Sequence, residues 1–313
     1  MFRYVIRQLL GLIPLAFLVS IAAFFLVRLL PGDAATAYMN SANIPLTEES
    51  VQAVREEMGL DKPVYVQYGK WLFDAIRGNL GYSYQTKQPV TTELWKDFQY
   101  TGILTLAALI WIAVFSVLFG ILSAEYADRF LDMGIRSLTF LGASMPKFWL
   151  GFLLMAFLSL RFKWFPVMGA ESWKHVILPS FTLACSYIAT YTKLLRNSIL
   201  EVKKQTFVRY ARARGLSRLQ VMVFHVIPNA LTPVLTTLGL HLGGIMSGSV
   251  VVENVFAWPG LGRMCVEAVA ARNYPMIQGY ILLQSVVFIM ANLLSDIACA
   301  ALNPRIRLKG GRT

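Results

Sequence analysis

Few residues in this chain have side chains suited to metal or nucleophile chemistry, and those few are scattered. His175, His225 and His241 are the only histidines, and Cys185, Cys265 and Cys299 the only cysteines. Imidazole and thiolate are the usual transition-metal ligands, but these six stand at no ligand spacing. An odd cysteine count without a C-x-x-C pair argues against both a zinc site and a disulfide framework. The plain reading of the cysteines is small buried residues. The histidines fall in three different parts of the chain and form no nucleophile–base set. The one Gly-Lys pair, Gly69-Lys70, is followed by Trp71 rather than Ser or Thr, so a phosphate-binding loop is absent and the chain carries no ATPase site of its own. What stands out instead is charge. From Lys203 to Arg218, Lys203, Lys204, Arg209, Arg212, Arg214 and Arg218 follow one another with no acid among them.

The elements that must position that basic stretch are apolar. The chain has 313 residues, is 56% hydrophobic and 15% charged. Six runs, roughly 9–30, 101–123, 137–160, 177–195, 226–250 and 280–300, are long enough to cross a bilayer core of about 30 Å. Pro179, Thr190, Pro228 and Pro233 interrupt the fourth and fifth, which bundled membrane helices tolerate. The first run follows a basic "MFRYVIR", and Ala35-Thr36-Ala37 would serve as a cleavage site. Its apolar part is too long for a signal-peptide core, so it reads as a retained anchor.

Charge orients the spans. With the N-terminus inside, 124–136, 196–225 and the tail 301–313 face the cytosol, and the tail carries Arg305, Arg307, Lys309 and Arg312 without an acid. The segment 31–100 faces out and holds Asp33, Glu48, Glu49, Glu56, Glu57, Asp61, Asp74, Glu93 and Asp97 against fewer cations. This is the positive-inside pattern. The formal charge of +12 is a topology signal spread over several connections, which argues against a nucleic-acid partner. The expected fold is an all-α integral membrane protein with six transmembrane helices, an external helical segment after the first and a cytoplasmic elbow between the fourth and fifth. The divisions are 1–30 anchor, 31–100 external segment, 101–300 five-helix core and 301–313 basic tail.

Local signals place shorter helices. In "PLTEESVQAVREEMGL", Thr47 is an N-cap, Glu48 and Glu49 lie in the first turn, Leu46 and Val51 make a staple, and Gly59 ends the helix over a Val51, Val54, Met58 stripe. A second helix follows Pro63 and ends near Gly78. This segment is either a structural cap or a docking surface for an external partner. The basic stretch parses as helix, glycine, helix. Gly215 takes the left-handed turn, Ser217 caps the next helix with Gln220 completing a capping box, and Leu216 with Val221 forms the staple. Phe207, Tyr210, Ala211 and Leu219 offer apolar surface, so the elbow is able to transmit force from a cytosolic partner, or else to serve as a structural loop.

"YARARGLSRLQVMVFHVIPNALTP" resembles the cytoplasmic coupling motif of ABC importer permeases, with Ala211, Gly215, Ile227 and Pro228 at the motif's spacing. Arg209 and His225 replace the usual glutamate and hydrophobic residue. The version is similar to that of the dipeptide, oligopeptide and nickel branch. "VRLLPGDAA", "GLDKPVYVQY", "SMPKFWLG", "VVENVFAWPGLGR", "NYPMIQG" and "NPRIR" resemble the same branch in the same order, so the likeness covers essentially the whole chain. It implies a multi-pass permease of the bacterial cytoplasmic membrane with both termini in the cytosol. It further implies a second homologous permease, two ATPase subunits that bind ATP and Mg2+, and an extracytoplasmic substrate-binding protein. No cofactor is implied for this chain. Tyr210, Ala211, Arg214, Gly215, Leu216, Ser217, Leu219 and Pro228 would couple to the ATPases.

Ionisable groups in spans are functional candidates. His241, flanked by Gly239, Gly243, Gly244 and Gly248, is either a bundle hydrogen bond or a metal ligand; Glu253 and Asp296 join it as pathway candidates, with pairing inside the bundle as the other reading of Asp296. The nickel permeases resemble this sequence at that histidine, and the short connection "RFKWFPVMGAESWKHVIL" points the same way, so nickel or a metal chelate is the expected cargo and di- or oligopeptides the alternative. A secondary transporter is the rival class, but it calls for midspan charge pairs or half-repeats that the sequence lacks.

Overall fold

A computed structural model describes residues 2–28, 33–42 and 44–302, with side chains described for 14, 16–28, 33–42 and 44–293. Fourteen α-helices lie among them: α1 Phe2–Arg28, α2 Ala34–Ser41, α3 Glu48–Glu57, α4 Val64–Ile76, α5 Val90–Glu125, α6 Phe130–Ser144, α7 Lys147–Leu154, α8 Lys174–Lys203, α9 Thr206–Ala213, α10 Arg218–Val221, α11 Ile227–Ser247, α12 Val250–Val255, α13 Leu261–Ala270 and α14 Tyr274–Leu302. π-Helical turns Met155–Arg161 and Met222–Val226 extend α7 and α10. Among the described residues the only extended pairing is one antiparallel bridge, Tyr82 to Pro89.

The helices form two compact units, Met1–Thr101 with Pro259–Met290, and Gly102–Trp258 with Ala291–Thr313. In the first, the short outer helices form where their caps stand. Thr47 Oγ1 accepts the Ser50 amide at 3.2 Å, and Ser50 Oγ accepts the Thr47 amide at 3.0 Å. Gly59 then turns the chain at φ +67°. The α3 stripe is shallow, with no residue of that helix buried. Apolar burial comes instead from Val27, Tyr84, Val90, Leu94, Leu261, Tyr274 and Ile277, which share one core. The 31–100 segment therefore packs with the start of α14 and with α13. Gly279 makes this possible, because a Cβ there would stand 2.8 Å from Val90 Cγ1. Asn273, buried, braces the same core by accepting the Tyr84 amide at 3.1 Å and donating to Ser83 Oγ at 2.8 Å.

In the second unit α8 packs against α6 and α11. Trp111 Nε1 donates to Ser180 Oγ at 3.0 Å, a satisfied indole inside an apolar bundle. Among the described residues three helices are long and apolar enough to cross a membrane: Val90–Glu125, the continuous Arg218–Val255, and Tyr274–Leu293. A fourth span is available if the pair Phe130–Ser144 and Lys147–Arg161 counts as one, bent by 107°. The third expected span, over 137–160, falls on this pair and is broken between its two helices. Met145, just before Pro146, is extended at ψ 133°, because the proline ring disfavours helix in the residue before it. The fourth expected span lies in α8, which is 30 residues long but carries Lys193, Arg196 and Glu201 among its hydroxyl residues and is not among the apolar spans. The first is represented among the described residues by the apolar piece Ala16–Arg28. The tail from 303 onward lies outside the described residues.

Candidate functional site

The basic stretch folds as two short arms about a glycine. On α9, Val208 and Ala211, three apart, turn inward and are buried, while Phe207 and Tyr210 stay exposed. Ala211 is therefore not part of the outer apolar surface that the sequence suggested, since it shares the inward face with Val208. The Gly215 amide closes on Arg212 O at 3.0 Å and the Leu216 amide on Ala211 O at 3.3 Å, with Gly215 at φ +85° and Arg214 at the helix end. Ser217 Oγ then accepts the Gln220 amide at 3.3 Å, and Gln220 Oε1 accepts the Ser217 amide at 2.9 Å. The second arm does not stop. It runs through Met222–Val226 into α11, and Pro228 stands where the π-helical turns give way to α11. Tyr210, Leu219 and Phe224 are each more than 70% exposed and Leu216 partly so, leaving an apolar patch among the arginines.

One carboxylate holds both ends of this element. Glu125, at the end of α5, meets Lys203 Nζ through Oε2 at 2.7 Å and Arg218 through Oε1 at 2.8 Å. Nearby, Asp132 is fully buried and accepts Arg196 in a fork, Nε to Oδ1 at 2.9 Å and Nη2 to Oδ2 at 2.6 Å. Ser123 Oγ donates to the same carboxylate, and the Asp128 amide adds a bond of 2.9 Å. The Arg196 guanidinium holds the Asp132 carboxyl well below the usual carboxylate range.

The pathway candidates are placed separately. His241 Nδ1 meets Tyr191 Oη at 2.9 Å, and its ring packs on those of Tyr187 and Tyr191. Glu253 is fully buried, and Ser249 Oγ donates to its Oε1 at 2.8 Å. The Asp296 side chain lies outside the described residues. Among the described residues no group of three or more His, Cys, Asp or Glu is set to hold a metal.

Residues 116–308 match the family described as "Binding-protein-dependent transport system inner membrane component", and residues 1–106 match the N-terminal family of the same membrane components. The chain belongs to this family. It is a permease subunit of an ABC importer, a class whose permeases work with further permease, ATPase and binding-protein components, so ATP is hydrolysed on separate subunits. The permease is 41% identical over 309 residues to the glutathione transport system permease protein GsiC of Escherichia coli O6:H1, covering 99% of this chain and 100% of that protein. The protein of the same name from Escherichia coli K12 is 40% identical over the same lengths. In fold, the permease is similar to the MetNI methionine ABC transporter in an inward-facing conformation. The TM-score is 0.56 at 16% identity, covering 67% of this chain and 96% of that one. An amino acid ABC transporter with histidines gives a TM-score of 0.53 at 17% identity, covering 69% and 94%.

Sequence reading of the permease missed Glu125, Asp132 and Tyr191. The signal for the first two was present: Glu125, Asp128 and Asp132 put three acids in the short connection that the charge pattern assigns to the same side as the most basic segment. Nothing in the spacing pointed to Tyr191, because its partner His241 is 50 residues away.

Proposed function

We propose that this permease subunit pairs with a second homologous permease to form the pore, and that the pore passes small peptides of the glutathione kind delivered by an external binding protein. The observation that carries the cargo reading is identity of 40–41% to proteins named glutathione permeases over 99% of the chain. Six spans cross the membrane with both termini in the cytosol. The arms around Gly215 seat on an ATPase subunit, whose partner and itself hold ATP and Mg2+. Their dimerisation moves the second arm, and with it α11. Tyr210, Arg214, Leu216, Ser217 and Leu219 make or shape that contact, Ala211 supports it from beneath, and Pro228 marks the root of the moving helix. His241, Glu253 and Asp296 belong to the pathway.

A second reading, nickel or a metal chelate as cargo, draws on one feature. Only Nδ1 of His241 has a hydrogen-bond partner among the described residues, which leaves Nε2 for a metal. Uptake of labelled glutathione and of 63Ni by the assembled importer in vesicles separates the two. The expected result is glutathione uptake that survives His241→Gln, since glutamine keeps a polar partner for Tyr191. Nickel uptake without glutathione uptake, lost in His241→Gln at unchanged ATP hydrolysis, would replace the peptide reading by the nickel one.

A further inference from the structure

A cavity of about 670 Å3 opens among the end of α5, α6 and α8. Three cations line it. Arg196 is committed to Asp132 and, at 3.5 Å, to Asp128, the one carboxylate in the lining. Arg136 and Lys193 line it from different helices, are exposed, and have no carboxylate partner among the described residues. Thr192 lines the same space. It is 2% exposed, and its hydroxyl has no hydrogen-bond partner. A buried hydroxyl without a partner is costly, and so asks for one. The rim is apolar: Phe140 is 73% and Met133 60% exposed, and Leu141 continues that surface along α6.

We infer that this cavity seats the phosphate of an anionic phospholipid of the cytosolic leaflet. Arg136 and Lys193 neutralise the phosphate, Thr192 lies within the pocket that receives its oxygens, and the acyl chains lie along Phe140, Met133 and Leu141. Basic pockets between membrane helices on the cytosolic side are suited to such headgroups. A soluble anion would use the cations and leave the apolar rim bare. The inference rests on the orientation proposed above, which puts 124–136 and 196–225 inside.

The test is native mass spectrometry of the whole importer reconstituted with phosphatidylcholine and phosphatidylglycerol, together with a photoreactive phosphatidylglycerol. Wild type should retain phosphatidylglycerol and be labelled on α6 and α8. Arg136→Gln with Lys193→Gln should retain it about 30-fold less well, the effect expected of two basic side chains near an anionic lipid. Arg136→Lys with Lys193→Arg should restore retention, which separates charge from folding. Equal retention in the glutamine variant, labelling elsewhere, release by inorganic phosphate alone, or a disulfide from Arg136→Cys to the second permease would each overturn the lipid site. Reconstituted bilayers carry the lipid in both leaflets, so retention reads the site alone. Labelling of Arg312→Cys in intact cells, in a chain with its native cysteines replaced, reads the orientation alone.

Discussion

Glu125→Gln isolates what holds the two-armed element at the end of α5. Glutamine has nearly the same shape but removes the charge and turns one of the two acceptor oxygens into an NH2 donor. The two bonds it weakens are unequal. Lys203 is 20% exposed and Glu125 25%, so that pair is largely shielded and acts as a charge-assisted hydrogen bond of about 1.5–3 kcal/mol. Arg218 is 79% exposed, and its pair with the same carboxylate falls in the surface range of roughly 0.2–1 kcal/mol. Because the single glutamine oxygen still accepts from Lys203, the loss should be about 2 kcal/mol, a shift of about 30-fold in the equilibrium for local opening. Amide hydrogen exchange over 206–221 in the assembled importer measures that equilibrium directly. Exchange there should rise about 30-fold in Glu125→Gln, by less than about 5-fold in Arg218→Gln, and no further when Lys203→Gln is added to Glu125→Gln. An unchanged exchange rate in Glu125→Gln, or an Arg218→Gln effect larger than that of Lys203→Gln, would refute the assignment of Glu125 as the common anchor.

The other expectations concern the turn and the buried pair. Gly215→Ala meets no atom within 4 Å, so its cost comes from φ +85° alone and should be about 1 kcal/mol, with import reduced but measurable. Gly215→Pro cannot reach that φ and should separate ATP hydrolysis from uptake in reconstituted vesicles. Asp132→Asn removes the buried countercharge of Arg196, 13% exposed, leaving only the exposed Asp128 at 3.5 Å, and should cost about 3 kcal/mol, read as loss of assembled complex on gel filtration. The Asp132 carboxyl is held below its ordinary range, so its contribution is present above that range and is lost only as the pH falls through the lowered value. Assembly of the wild type should therefore not vary between about pH 5 and 8 on account of this pair, as a thermal-stability series would show.

Local signals were the most legible part of the sequence, because a cap or a turn is decided by residues a few positions apart. Thr47, Gly59, Gly78, Gly215, and Ser217 with Gln220 all stand where their chemistry placed them. Apolar runs located α5, α11 and α14 for the same reason. The bend at Met145-Pro146 was legible in principle, but a run of hydropathy carries no direction, and the run over 137–160 hid it. What spacing did not reveal was pairing across distance. The Lys203, Glu125 and Arg218 set joins three helices, and the basic stretch alone looked like a solvated leaflet anchor. Ala211 was misplaced because a composition of Phe, Tyr, Ala and Leu does not say which residues share a face. The three-residue spacing on α9 decides that Ala211 shares the buried side with Val208.

The continuity of the second arm bears on how motion would reach the pore. Residues from Arg218 to Val255 form one apolar helical path, with no loop between the capped start at Ser217 and the glycine-flanked His241. A force applied at Leu219 therefore acts on α11 through its end. The first arm lacks this connection, because Gly215 separates it from the second arm. Along that path π-helical turns replace the α pattern at Met222–Val226. Glu125 sits on the near side of that place, holding Arg218, and Tyr191 sits on the far side, holding His241. A displacement that breaks the exposed Arg218 pair costs little, whereas one that breaks the Lys203 pair costs more. Under the coupling role proposed above, the second arm would swing while the end of α8 stays fixed.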